Sequence, residues 1–391
     1  MKQETISTRI ERSKSALSAY LERLDYRGYT IDAKAFSEYN ILYYLHLAHS
    51  IGKQIDGPFN LLEELAQTQD ENGFLAPAPS SFVKGLHDDM YIRLHQSGLF
   101  FQLVDLYGFD VRLPKLDRVF PEARLKTYLE YLDYTNIWLH SNVLLGVATA
   151  SQFCARRGKN DSHRQILIEY LSKTEKDFSG LWGCGAGASL LNSIAGTFHL
   201  VPILVNAGIF PSSPIKVASK VLSMQTPEGL FCAPHGYSCI EYDCIYLLKI
   251  ITDYCQNAPS DLLNRIRCGA AKAVVGLLNL QNPDGGFPDI GRGQGLMESI
   301  INVFVPVLHH RDLPTFGWNM RKLIRLILFR SKPIFNNSVK ACAALPHQSN
   351  VFSSWFRYLS LRMAAELAGF RSMAGVGTMP LVGLNYFPAQ Q

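Results

Sequence analysis

The chain has 391 residues, of which 47% are hydrophobic and 18% are charged, and its formal charge at neutral pH is +5. A chain of this length and composition can bury a large core. The small net charge, with no long basic run, excludes a typical nucleic-acid binder. No run of about 18 apolar residues occurs, so we predict no transmembrane helix.

The beginning of the chain and its cysteines both indicate a reducing compartment. Residues 1–18 are charged and polar, and they lack the apolar core of a secretion signal. The chain has eight cysteines and no C-x-x-C pair. We therefore expect free thiols and a cytoplasmic location.

A short motif recurs along the chain, and we call it the turn motif. Residues 69–75, 225–231 and 281–287 each have Gln, then Gly four residues later, then a large apolar residue two further on. Residues 176–182 keep the glycine and the aromatic residue, and a fifth copy ending at Trp138 keeps only the aromatic residue. The spacing between copies leaves room for two helices and their loops.

Each turn motif separates two kinds of predicted helix. The helix before it is amphipathic and ends at the glycine, whereas the helix after it is almost entirely apolar. This alternation predicts an outer and an inner layer. The predicted inner helices are 39–51, 87–107, 139–153, 190–207, 238–254 and either 297–308 or 354–367. Because strand signals are scarce, we predict an all-α fold, an (α/α)6 toroid that forms a single domain over residues 1–391.

The repeated Q-x-x-x-G-x-F pattern resembles that of the terpenoid cyclase and protein prenyltransferase superfamily, which includes squalene–hopene cyclases and class II diterpene cyclases. The resemblance covers most of residues 60–290 at the level of the repeats. It implies an α/α barrel whose inner helices line an active cavity at one end of the ring. It also implies a hydrophobic isoprenoid substrate.

The segment 231–248 contains the candidate acid. In class II cyclases, a D-x-D-D or D-x-D-T motif opens an inner helix, and its middle aspartate protonates an alkene or epoxide. Glu241-Tyr242-Asp243-Cys244 stands in a similar place, so the resemblance assigns the acid to Asp243 and the first carboxylate to Glu241. Burial without a cation partner would raise the pKa of Asp243. In the alternative, Glu241 caps the helix and Asp243 binds backbone amides.

The same segment offers soft metal ligands, namely Cys232, His235, Cys239, Asp243 and Cys244. Protein prenyltransferases bind zinc through Asp, Cys and His, so the resemblance allows zinc at Cys239 and Asp243, which share a helix face. The spacing matches no common zinc pattern, and buried cysteines also serve as small core residues. We expect no cofactor, with zinc as the alternative.

Other side chains on the predicted inner helices are candidates for substrate binding. His87, Tyr91 and His95 follow one another at four-residue spacing and share a helix face. The remaining candidates are His199, Tyr237, Tyr242, Glu298, Asn302 and Trp355. Aromatic faces stabilise a cation by roughly 0.5–2 kcal/mol each. For each of these residues, ordinary core packing is the alternative.

Residues 321–332 combine basic and apolar side chains. Such a segment suits the surface of a membrane, where it would admit a lipid substrate, or an outer helix with arginines at the rim. Taken together, the sequence predicts a class II terpene cyclase-like enzyme of natural product biosynthesis. The alternatives are a prenyl or other transferase with the same cavity, and a non-catalytic or carbohydrate-related toroid that binds its ligand. The sequence predicts no oligomeric state.

Overall fold

The computed structural model describes residues 5–24, 38–76, 89–178, 180–232, 236–255, 258–290, 300, 303–304, 312–328 and 348–370. Within these ranges the chain is helical, and β-pairing is limited to three isolated bridges, which confirms the all-α class. The helices are α1 Ile6–Arg23, α2 Glu38–Ile51, α3 Pro58–Gln67, α4 Asp89–Tyr107, α5 Leu116–Val119, α6 Glu122–Glu130, α7 Ile137–Ala155, α8 Ser162–Thr174, α9 Leu190–Val205, α10 Pro214–Leu222, α11 Ser238–Tyr254, α12 Ser260–Leu280, α13 Leu313–Leu328 and α14 Val351–Leu367.

Six helices form an inner layer in which each helix packs on the next. Their order is α2, α4, α7, α9, α11 and α14, and α14 also packs on α2. Helices α7, α9, α11 and α14 are buried along most of their length, as their apolar sequences require. Helices α1, α3, α8, α10 and α12 pack outside this layer. The arrangement is compatible with an α/α toroid.

The predicted inner helices agree closely with the structure. Helices α2, α7, α9 and α11 match their predicted ranges to within two residues at each end. The described part of α4 begins at Asp89, so His87 lies outside it. Of the two candidates for the last inner helix, 354–367 corresponds to α14, whereas most of 297–308 lies outside the described residues.

Three turn motifs fasten one outer segment to the next in the same way. The glutamine side chain donates one hydrogen bond to the carbonyl of the motif's own glycine and another to a carbonyl of the following outer segment. The acceptors are Gly73 and Arg112 for Gln69, Gly229 and Gly269 for Gln225, and Gly285 and Ser13 for Gln281. Because Ser13 belongs to α1, the last of these motifs ties the end of α12 back to the first helix.

The glycine of the motif is required by this close packing. At Gly285 the backbone has a φ of +84°, and an added Cβ would lie 2.1 Å from the carbonyl oxygen of Ala16 in α1. At Gly229, with a φ of +88°, the corresponding distance to the carbonyl oxygen of Lys272 in α12 is 2.3 Å. Only glycine tolerates both the left-handed backbone and the approach of a neighbouring main chain.

The last residue of each motif is held by an inner helix. Its backbone N–H donates to a side chain in the N-terminal half of that helix, and we call the accepting side chains the anchor residues. They are Ser97 for Leu75, Thr197 for Trp182, Glu241 for Phe231 and Ser354 for Phe287, at 2.9 to 3.1 Å. The turn motifs therefore lie beside the N-terminal halves of the inner helices.

Helix α13 lies at the N-terminal end of α9. Asp312 and Thr315, at the start of α13, accept hydrogen bonds from the backbone N–H groups of Leu190 and Leu191, the first residues of α9. This contact satisfies donors that a helix N-terminus leaves without an intrahelical partner. None of the helices in the described part of the chain is long and apolar enough to cross a membrane.

Candidate active site

Glu241 is the one anchor residue that is a carboxylate. Its Oε2 accepts a hydrogen bond from the N–H of Phe231 at 2.9 Å and lies 3.4 Å from Nη1 of Arg357 in α14. Nη2 of Arg357 donates to the carbonyl of Asp289 at 2.8 Å. Gly236 passes directly over the pair, since a Cβ there would lie 3.1 to 3.3 Å from its charged atoms. The ion pair therefore joins α11, α14 and the ends of two turn motifs.

The Glu241–Arg357 pair is wholly buried, and burial works against both of its charges. Burial raises the pKa of Glu241 to about 7, although the Arg357 guanidinium and the Phe231 N–H both lower it. The pKa of Arg357 is lowered by the same loss of solvent. Among the described residues, Oε1 of Glu241 and Nε of Arg357 have no hydrogen-bond partner. Removing either side chain would leave the other buried without the opposite charge that faces it, at a cost in stability.

Asp243 is 2% exposed and lies within the second turn of α11. Because α11 begins at Ser238, Glu241 and Asp243 are both helical and point about 200° apart. Burial alone raises the pKa of Asp243 well above its usual value, and none of the described residues gives it an ion pair or a hydrogen bond. The direction of this shift agrees with the expectation from the sequence, and it favours the neutral form of the carboxyl.

The anchor residues also show which way Asp243 faces. Two residues after Thr197, Glu241 and Ser354 come His199, Asp243 and Phe356. These three therefore lie on the side of their helices opposite the turn motifs. His199 bonds to Ser141 of α7 at 3.0 Å, and Phe356 packs on Tyr242 of α11, so both face other inner helices. By this register Asp243 likewise faces away from the turn motif that Glu241 holds.

An aromatic cluster occupies the interior next to α11. Tyr242 packs edge-on against Phe198 of α9 at 5.3 Å and against Phe356 of α14 at 5.4 Å between ring centroids. Phe356 in turn contacts Tyr43 of α2, and Phe198 contacts Tyr246 one turn beyond Tyr242. All of these rings are buried. The cluster thus links four of the six inner helices with rings whose faces and edges can stabilise charge.

Several candidate substrate-binding residues converge on the same interior. Tyr91 stacks on His95 at 5.8 Å, and burial together with the nearby thiol of Cys239 raises the pKa of Tyr91. Burial and His95 lower the pKa of His199 to about 3, so His199 is neutral at physiological pH. Helices α4, α9 and α11 therefore bring these polar groups close enough to influence one another.

The other candidates have different surroundings. Trp355 is fully buried, stacks on His46 at 4.8 Å and donates its indole N–H to Ser50 at 3.2 Å, so it packs into the wall formed by α2. Tyr237 is buried and immediately precedes α11. His87, Glu298 and Asn302 lie outside the described residues, as does the side chain of His235.

Three residues of the interior were not among the predicted site residues. Arg357 and Asp289 complete the ion-pair network, and His46 bonds to the carbonyl of Leu99 at 3.1 Å. Burial lowers the pKa of His46 to about 3. Arg357 could have been noted in the sequence as a charged residue in the first half of the predicted inner helix 354–367.

Within the described residues, one group of His, Cys and carboxylate side chains brings three ligand atoms within 4.8 Å of one another. It consists of Asp117, Glu122 and His163, far along the chain from the candidate acid. Nε2 of His163 is already bonded to the carbonyl of Phe120 at 2.8 Å. The described cysteines around α11 do not form such a group, and Cys232 Sγ donates a weak hydrogen bond to Oδ1 of Asn319 at 3.9 Å.

Two comparisons with known proteins found no match. No protein-family model matches the chain, and no curated protein matches it significantly. The argument for function therefore depends on the residues and geometry of the interior.

Proposed function

We propose that the chain is an (α/α)6 toroid enzyme of the class II terpene cyclase type, in which Asp243 donates a proton to an apolar isoprenoid. The observation that carries this proposal is the buried carboxyl of Asp243, which has no ion pair or hydrogen bond among the described residues. A carboxyl group can protonate carbon only while it is neutral, and burial favours the neutral form by raising the pKa.

The helix packing supports the toroid. The inner helices contact one another in chain order, the last returns to the first, and the Gln281 side chain ties the end of α12 to α1. Five outer helices pack against this layer, and α6 with α5 occupies the remaining place before α7. This order is the one that six α/α pairs would produce.

The surroundings of Asp243 suit an apolar, cationic reaction. Buried rings such as Tyr242 and Phe198 offer electron-rich faces, each able to stabilise a cation by roughly 0.5–2 kcal/mol. Glu241 does not supply the second carboxylate of the cyclase motif, because it is turned toward Phe231 and Arg357. The apolar surroundings would therefore keep the transferable proton on Asp243, without a contribution from a neighbouring carboxylate.

Incubation of the purified protein with linear isoprenoids tests the proposal. Squalene and geranylgeranyl diphosphate, supplied in D2O, should give cyclic products that carry one deuterium from the acid, detectable by mass spectrometry. Asp243→Asn keeps the side-chain volume, removes the transferable proton and should abolish product formation. Asp253→Asn is the matched control, since Asp253 lies on the same helix and is partly exposed in an ion pair with Lys249.

The outcome also separates the enzyme from a binding protein of the same fold. A binding protein would retain the isoprenoid unchanged, and Asp243→Asn would leave its affinity intact. Product formation that survives Asp243→Asn would refute the assignment of the acid.

A further inference from the structure

The face of α13 that turns away from the inner helices is apolar. Leu313, Ile324 and Ile327 are 65%, 45% and 41% exposed, and nearby Phe304 is 42% exposed. Along α13, the apolar residues Leu313, Phe316, Met320, Ile324 and Ile327 recur at three- and four-residue spacing. They form one stripe on the helix, which we call the apolar stripe. Phe304 extends it, because its ring lies 5.1 Å from that of Phe316.

The buried face of α13 lies about 100° around the helix from the apolar stripe and fixes the orientation of the helix. Thr315 and Asn319 are fully buried, and Leu323 is 5% exposed. Through Asp312 and Thr315 this face is bonded to the first N–H groups of α9. The apolar stripe is therefore held outward by polar contacts, and the helix cannot bury it by rolling without breaking them.

The charge of the surrounding sequence has a single sign. Residues 313–365 contain no aspartate or glutamate. Five basic residues fall within twelve positions: Arg321, Lys322, Arg325, Arg330 and Lys332. An apolar stripe in a basic segment without acidic residues is the pattern of a helix that binds an anionic lipid surface.

We propose that α13 lies in the interface of an anionic membrane, with the apolar stripe among the acyl chains and the exposed Arg321 near the headgroups. Each basic residue near such a surface contributes roughly 1 kcal/mol. A second copy of the chain would fit this surface less well, because pairing through the stripe would bring two basic segments together. Since α13 is bonded to the start of α9, the membrane would lie at the end of the ring where the turn motifs lie.

Vesicle flotation tests the proposal. The full chain should float with vesicles of phosphatidylcholine and phosphatidylserine, and less with phosphatidylcholine alone or at high salt. The double variant Ile324→Glu, Ile327→Glu should lower the partition coefficient by more than roughly tenfold, since two apolar contacts are lost. Arg321→Glu should weaken binding to the anionic vesicles only.

The matched control changes two equally exposed apolar residues of the outer layer. Ile215 on α10 is 48% exposed and Val275 on α12 is 40% exposed, so Ile215→Glu with Val275→Glu should leave flotation unchanged. Circular dichroism verifies that all variants fold. Failure of the unmodified chain to float would overturn the proposal, as would equal loss of flotation in both double variants.

Sedimentation of the chain without lipid tests the remaining alternative, which is self-association through the apolar stripe. Suppose that the unmodified chain does not float but forms a dimer, and that Ile324→Glu with Ile327→Glu makes it monomeric. This result would assign the apolar stripe to self-association and reject the membrane proposal. Both experiments contain no isoprenoid, so their results do not depend on whether Asp243 is the acid.

Discussion

The burial of Asp243 predicts how its replacement changes stability with pH. The carboxyl has its ordinary pKa of about 3.8 when the chain is unfolded, and burial raises this pKa well above that value in the folded chain. Between these values the folded state retains a proton that the unfolded state has released, so stability is lost as pH rises above about 4. Asp243→Asn removes this loss, because the amide does not titrate.

The size of the effect follows from linkage. Each pH unit between the two pKa values changes the free energy of unfolding by about 1.4 kcal/mol. Relative to the unmodified chain, Asp243→Asn should therefore gain about 1.4 kcal/mol for each pH unit above about 4, until the pH reaches the raised pKa of the folded state. The neutral histidines His46 and His199 contribute equally to the pH dependence of stability in both proteins, so their contributions cancel when the two are compared.

Urea unfolding at a series of pH values measures this gain. The control is again Asp253→Asn, whose carboxylate is 37% exposed beside Lys249 and should show no comparable gain. A difference between Asp243→Asn and the unmodified chain that stays constant from pH 4 to pH 7 would refute the inference that the buried carboxyl is protonated. It would also remove the main support for Asp243 as the acid.

Three further predictions concern the packing and the metal. Gly229→Ala should lower the free energy of unfolding by more than roughly 3 kcal/mol in thermal unfolding, because its Cβ would lie 2.3 Å from a carbonyl oxygen of α12. Gly158→Ala is the control: Gly158 has a φ of +74° but open space around it, so the loss should be only roughly 1–2 kcal/mol. Glu241→Ser should lower the free energy of unfolding in urea by roughly 3–5 kcal/mol, because it leaves the buried Arg357 without the carboxylate that faces it. Adding Arg357→Met should restore most of the lost stability. Equal stability of the single and double variants would contradict this reasoning. Elemental analysis of the unmodified chain should find no stoichiometric zinc. One equivalent of zinc per chain, absent from the Cys239→Ala variant, would establish a zinc site.

The layers of the fold are predictable because they depend on local patterns. Helix α11 begins and ends where its apolar run does, between the loop after a turn motif and Cys255. The last inner helix was ambiguous for a physical reason. Its anchor residue, Ser354, follows Phe287 by 67 residues, whereas the other anchors follow their motifs by 10 to 22. Helical periodicity does not reveal which of two apolar segments makes that hydrogen bond.

The site is less predictable because its decisive contact is not local. Asp243 stands out in the sequence as a carboxylate in an apolar helix that follows a turn motif. The role of Glu241 depends on Arg357, which lies 116 residues further along the chain. No spacing rule connects two residues so distant, so the sequence alone left Glu241 as a possible partner of Asp243.

The anchor residues explain why the two carboxylates of α11 differ. Hydroxyl side chains hold the other turn motifs, so a serine at position 241 would satisfy the N–H of Phe231. The additional property of Glu241 is its charge, and that charge is opposed to the buried Arg357 guanidinium. Asp243 has no such partner among the described residues, and burial raises its pKa, which favours the neutral form. When neighbouring environments separate two carboxyl groups in this way, the isolated one is the candidate proton donor, which favours Asp243 over Glu241.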